Sequence, residues 1–203
     1  MDAHDWDRRY AASDYVWTVR PNAFLVREVE QMAPGRAIDL ACGEGRNAVW
    51  LARLGWEVTG VDFSAVALDK ARRLAEEHGV SARWEQADVL AWEPPADGVD
   101  LVIVLYLQLP ADQRRIALAN AARALRPGGT VLVVAHDRRN LAEGVGGPAD
   151  PAVLYGPDDA VADLRAAGVD LDVERAETVE RVVDGADRPA LDCLVRARRR
   201  VSA

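Results

Sequence analysis

Cysteine is scarce, with two residues in a chain of 203. Cys42 and Cys193 lie far apart and match no metal-ligand spacing such as C-x-x-C. A chain of this length needs no disulfide scaffold, so a reducing compartment is expected. Long apolar runs are missing: none approaches the roughly 20 residues that cross a bilayer. Residues 1–10 lack the apolar stretch of a secretory signal, so a cytoplasmic protein is expected. A basic excess is missing as well. Lys and Arg number 25 against 33 acidic residues, for a formal charge of −8. Such a chain does not favour nucleic acid or an anionic membrane as a partner, and Arg196, Arg198, Arg199 and Arg200 read as a solvated tail. Repeats and low-complexity segments are absent. No metal site is evident, and oligomeric state leaves no mark in the sequence.

What is present is enough for one hydrophobic core. Half of the residues are apolar and 29% are charged, as in an ordinary globular domain, so residues 1–203 are expected to form a single domain. Short apolar runs alternate with amphipathic stretches. Strands are expected at 37–41, 57–61, 82–87, 100–107 and 130–135. Helices are expected at 47–54, from Ser64 to about Gly79, at 112–125 and from Pro157 to about Ala167. The run DLVIVLYL barely alternates, which suits a strand covered on both faces of a parallel sheet. Two final runs, 171–183 and 190–198, flank the turn-rich Asp184-Gly185-Ala186-Asp187 and read as an antiparallel hairpin. The fold class is therefore α/β: a doubly wound, mostly parallel sheet with a C-terminal antiparallel hairpin. Residues 1–34 are expected to form a helical cover. The long Gly-, Pro- and Asp-rich loop 137–157 is expected to act as a lid over a substrate.

The strongest chemical signal is DLACGEGRN, at residues 39–47. Glycines at a strand-to-helix turn let the backbone bend and approach a ligand, and the helix start offers unpaired N–H groups. Asp62 closes the next strand, where a carboxylate can accept both hydroxyls of a ribose. Asp88 closes the third, within reach of an adenine amino group. The pattern G-E-G-R-N-A is a loose match to a dinucleotide turn. Asp39 opposes that reading, since a carboxylate there repels a pyrophosphate and suits an ammonium. The contrast favours S-adenosylmethionine.

The runs DLACGEGRN, VDFS, AD and LRPGGTVLVV together resemble the class I S-adenosylmethionine-dependent methyltransferases. The G-x-G-R-N form and GWEVTGVDFS are similar to the branch that contains the tellurite-resistance and thiopurine methyltransferases. The resemblance covers residues 34–135, and the terminal hairpin fits the family's seven-stranded sheet. It implies S-adenosyl-L-methionine as cofactor. It also implies a glycine turn at Gly43 and Gly45 with Asn47 beside them, an amino-group contact at Asp39, a ribose contact at Asp62, adenine contacts at Phe63, Asp88 and Val89, a border at Leu105, and a cofactor carboxylate contact at Arg20.

Methyl transfer from a sulfonium is an in-line displacement with a neutral leaving group, so positioning can supply most of the acceleration. A base is needed only when the acceptor must lose a proton. No catalytic dyad is visible, and a small acceptor such as a thiol or another soft nucleophile is expected. His136 and Tyr106, leaving the fifth and fourth strands, are the candidate catalytic residues. Arg138 and Arg139 can hold an acidic group of the acceptor. Trp6, Tyr10, Tyr15 and Trp17 can roof the site. Two rival readings are a non-catalytic S-adenosylmethionine-binding sensor or partner protein, and an NAD-dependent oxidoreductase.

Overall fold

The computed structural model describes residues 3–16 and 18–201, so Trp17 lies outside the described residues. Seven strands form one sheet: β1 (Arg36–Leu40), β2 (Glu57–Asp62), β3 (Arg83–Gln86), β4 (Val99–Leu105), β5 (Leu125–His136), β6 (Leu171–Arg181) and β7 (Ala190–Arg199). Their order is β3-β2-β1-β4-β5-β7-β6. The first five run parallel. β7 is antiparallel to both β5 and β6, as expected of a terminal hairpin. The helices are α1 (Ala3–Ala11), α2 (Ala23–Val29), α3 (Arg46–Arg53), α4 (Ala65–Glu77), α5 (Ala111–Arg123), α6 (Asn140–Glu143) and α7 (Pro157–Arg165).

The apolar run of β4 is explained by its two covered faces. Leu101 and Ile103 pack into one core cluster with Phe24 and Leu25 of α2 and with Ala48 and Leu51 of α3. Val102 and Val104, pointing the other way, pack into a second cluster with Ala117, Leu118 and Ala121 of α5 and Ala160 and Leu164 of α7. Burying one such aliphatic side chain contributes about 1.5–3 kcal/mol. Local signals set the helix starts. Asn22 caps α2 by accepting from the N–H groups of Phe24 and Leu25, and Ser64 caps α4 by accepting from Ala67, each satisfying donors the helix leaves unpaired.

The structure departs from the sequence expectation at several points, beginning with Arg196, Arg198 and Arg199, which lie in β7 rather than in a solvated tail. β5 begins at Leu125, not Thr130. Leu125 pairs with Val99 and Thr130 with Leu101, so residues 126–129 bulge from the ladder. Glycine is needed there, because a Cβ on Gly129 would sit 2.6 Å from the Val99 carbonyl. The segment 137–157 also holds structure of its own: α6 and a 3-10 turn at Pro151–Val153. It is fastened to the sheet through Asn140, whose Oδ1 accepts from the Leu191 N–H at 2.7 Å and whose Nδ2 donates to the Gly146 carbonyl at 2.8 Å. Gln108 bridges the same region, donating to the Val153 carbonyl at 2.7 Å and accepting from the His136 N–H at 3.0 Å.

Candidate active site

After β1 the chain turns through α3 toward β2, and after β4 it turns through α5 toward β5, on the other side of the sheet. Adjacent strands whose connections diverge leave a crevice at their carboxyl ends, where open α/β sheets bind ligands. Both strands end on a left-handed residue other than glycine: Ala41 at φ 62° and Tyr106 at φ 60°. That conformation costs energy for a residue with a Cβ and concentrates at functional sites. The two residues flank the crevice.

On the β1 side, Asp39 is 1% exposed. Burial pushes its carboxyl up to about 7, against the Ala48 N–H and the nearby Arg46, which favour the charged form. Its Oδ2 is buried and has no hydrogen-bond partner. Asp62, also buried, ties its strand to the glycine turn. Its Oδ2 accepts from the Gly43 N–H at 2.8 Å and its Oδ1 from the Ser64 N–H at 2.9 Å. Burial raises its pKa, opposed by those same amides. Each oxygen keeps a second lone pair for a hydroxyl.

The glycines have packing reasons beyond ligand approach. Gly45, at φ 80°, would carry a Cβ 2.6 Å from that of Ala71, and Gly43, at φ 53°, one 2.9 Å from the Tyr10 hydroxyl. Asn47 is buried and holds the entering chain, its Oδ1 accepting from the Asn22 N–H at 2.9 Å. Asp88 is exposed and accepts from the Leu90 N–H, while Val89 is 4% exposed within the core, which leaves its backbone as the part that can face a base. Phe63 is half-buried, Leu105 borders the crevice floor at 8% exposure, and Arg20 is exposed.

The N-terminal segment lies over this half. Asp7 accepts from the Ser64 hydroxyl at 2.5 Å. Lys70, buried on α4, donates to the carbonyls of Tyr10 and Ser13, both at 2.6 Å, and to Glu44 at 3.0 Å. Glu44, inside the glycine turn, also accepts from the Val16 N–H at 3.0 Å. Trp6 stacks on Tyr10 with ring centroids 5.4 Å apart.

On the β4–β5 side, His136 and Tyr106 come together, rings 4.9 Å apart. They meet on two residues that sequence reasoning missed. Asp192 of β7, fully buried, pairs in register with His136. Its Oδ2 accepts from the Tyr106 hydroxyl at 2.8 Å and from Nε of Arg181 at 2.7 Å. Its Oδ1 lies 3.3 Å from Nδ1 of His136. Burial works against the Asp192 charge, but its contacts to His136, Arg181 and Tyr106 outweigh burial and hold its pKa below the usual carboxylate value. Burial and the Asp192 charge push the Tyr106 phenol far up, so it stays protonated. Arg138 and Arg139 are engaged elsewhere, Arg138 with Asp159 and Arg139 with Glu143. Among the described residues no cluster of three or more His, Cys, Asp or Glu could hold a metal.

The whole architecture recurs in solved proteins. It superposes on the N-methyltransferase NodS from Bradyrhizobium japonicum in complex with S-adenosyl-L-homocysteine, with a TM-score of 0.74 over 97% of both chains at 20% identity. The chain has the class I S-adenosylmethionine-dependent methyltransferase fold. A family profile described as a methyltransferase domain matches residues 37–129. Another protein of this fold, solved in work on the conversion of a disulfide bond into a thioacetal group during echinomycin biosynthesis, is 25% identical. It aligns over 99% of this chain and 93% of its own, with a TM-score of 0.74. The demethylmenaquinone methyltransferase of Thermus thermophilus is 38% identical over 107 residues, which is 51% of this chain and 48% of that protein. The chain spans between a third and a half of the length of the first curated relatives it matches. Among the described residues no helix is long and apolar enough to cross a membrane.

Proposed function

We propose that this chain binds S-adenosyl-L-methionine and transfers its methyl group to a small-molecule acceptor. The observation that carries the reading is Asp39: a buried carboxylate oxygen without a partner, beside the glycine turn and one strand from Asp62. An ammonium satisfies that oxygen, and a pyrophosphate would be repelled by it. The donor set thus fits the cofactor. Asp39 would receive the amino group, Asp62 the ribose hydroxyls, and Phe63, Asp88 and the Val89 backbone the adenine, with Leu105 beneath and Arg20 near the carboxylate. When bound, the cofactor supplies an electrophilic methyl group. The residues of this chain hold it in line with the acceptor and exclude water, α1 from one side and the loop 137–157 from the other. The motif G-E-G-R-N supports placement in the tellurite-resistance and thiopurine branch.

The acceptor would sit over the ends of β4 and β5, beside Tyr106 and His136, which we assign to catalysis. Arg138 and Arg139 would reach it only by leaving Asp159 and Glu143. A thiolate acceptor would need positioning alone; a hydroxyl would also need a base.

Calorimetric titration with S-adenosyl-L-homocysteine, with NAD in parallel, tests the cofactor. Tight binding of the first and none of the second is expected; the reverse would replace the methyltransferase reading with an oxidoreductase. Turnover of any acceptor separates an enzyme from a cofactor-binding sensor.

A further inference from the structure

Resting on the methyltransferase reading, we propose that Asp192 is a positioning residue that makes His136 a general base, and that the acceptor is a small compound with a hydroxyl of phenol-like acidity. Nδ1 of His136 and Oδ1 of Asp192 are both buried, 3.3 Å apart, and neither finds another hydrogen-bond partner. Two orphaned atoms facing each other in this way are both satisfied by one proton on Nδ1. Oδ2 of Asp192 is already committed to Tyr106 and Arg181, so the carboxylate cannot turn away. The ring is clamped as well. Tyr106 lies against one side, its ring tilted by 39°, a Cβ on Gly147 would lie 2.9 Å from the ring, and the backbone N–H of His136 is held by Gln108. With Nδ1 protonated, Nε2 at the opposite edge of the ring is left as the proton acceptor.

The charges around the ring favour this role. Asp192 faces it from β7, Arg181 from β6 neutralises Asp192 in the resting state, and Tyr106 after β4 is a neutral donor. Arg46, at the start of α3, lies within electrostatic reach of Tyr106 and Arg181. A proton arriving on the imidazole is stabilised by the Asp192 carboxylate, as in other histidine–carboxylate pairs. In the transfer, the acceptor oxygen forms a bond to the methyl carbon as the carbon–sulfur bond breaks and its electron pair goes to sulfur. The hydroxyl proton goes to Nε2 and then to solvent. The pKa gap to an imidazole is far smaller for a phenol than for an aliphatic alcohol, so the His136–Asp192 pair suits a hydroxyl of phenol-like acidity best.

Asp192→Asn is the test. The side-chain oxygen is expected to keep the Tyr106 and Arg181 bonds, which turns the NH2 toward Nδ1 and forces the proton to Nε2. Long-range 1H–15N spectra of the ligand-free protein, assigned with His136→Gln, should show the Nδ1–H form in the native chain and the Nε2–H form in Asp192→Asn. With a panel of phenols the variant should lose about 100-fold or more in kcat, with KM and affinity for S-adenosyl-L-homocysteine changed less than about twofold. An Nε2–H tautomer in the native chain overturns the proposal even if the variant fails to fold. So does methylation of thiols but not of phenols, or native kcat in Asp192→Asn. Failure of the native chain to bind S-adenosyl-L-homocysteine sinks the methyltransferase reading instead and leaves the tautomer result standing.

Discussion

Asp39 illustrates how a single carboxyl can couple folding, binding and pH. Its pKa is pushed up to about 7 by burial, from an ordinary value of 3.8. Between those two values the native state binds more protons than the unfolded chain, so the stability linked to Asp39 is complete below about pH 4 and is lost as pH rises to 7. Asp39→Asn should abolish that slope and leave the ligand-free protein more stable than the native chain at pH 8, read from urea unfolding at pH 5 and pH 8. Binding has the opposite sign. An ammonium needs the carboxylate, so affinity for S-adenosyl-L-homocysteine should rise between pH 6 and 8, approaching about tenfold per unit below the pKa. A flat calorimetric profile would move the ammonium to another partner. Asp39 and Asp62 are legible in the sequence because each closes a strand next to its own turn. Asp192 and Arg181 are not, since Tyr106 lies 86 residues before Asp192 and only strand pairing brings them together. The available signal was an aspartate within the apolar run ALDCLV.

At the scale of elements, α5 and α7 meet through a buried ion pair. Nε of Arg114 donates to Asp163 at 2.6 Å, with the side chains 7% and 2% exposed, and its guanidinium lies 4.5 Å over the ring of the fully buried Tyr155. Removing one partner strands the other charge. Asp163→Ala should therefore destabilise the fold by about 3–5 kcal/mol, and Asp163→Ala combined with Arg114→Met should recover part of that loss in urea unfolding. Equal losses in both would mean that the stranded Arg114 charge is not what destabilises the single variant. Every strand and the longer helices could be read from hydrophobic period and caps. The early start of β5 could not, because Arg126-Pro127-Gly128-Gly129 has the composition of a turn, and only its pairing across β4 shows that it is a bulge. Nor could α6, whose four residues are fixed by the contact of Asn140 with β7 rather than by local propensity.

At the scale of the molecule, the N-terminal segment is a strap drawn across the cofactor half and fastened mainly by Lys70, whose three donors all have partners. Lys70→Met should release it, so that limited proteolysis cuts between residues 11 and 22 at protease levels that leave the native chain and the rest of the sheet intact. S-adenosyl-L-homocysteine should slow that cut in the native chain. Undiminished resistance in the variant would mean that α1 is held by Asp7 and the aromatic pair instead. The sheet as a whole, five parallel strands and a hairpin, followed from the alternation of strand and helix patterns, because connection rules leave few ways to cover both faces.

The bulge at residues 126–129 coincides with the end of the stretch matched by the methyltransferase-domain profile. Before it lie the glycine turn, Asp39, Asp62 and Tyr106; after it lie His136, Arg181 and Asp192. The chain is thereby divided into a half that carries the glycine turn and a half that carries the His136–Asp192 pair, joined inside one sheet. The boundary is a natural crossover point for chimaeras. Exchanging everything after residue 129 between two proteins of this fold should transplant the part of acceptor preference set by His136, Arg181 and Asp192, while Tyr106 and the donor-binding residues stay with the first half.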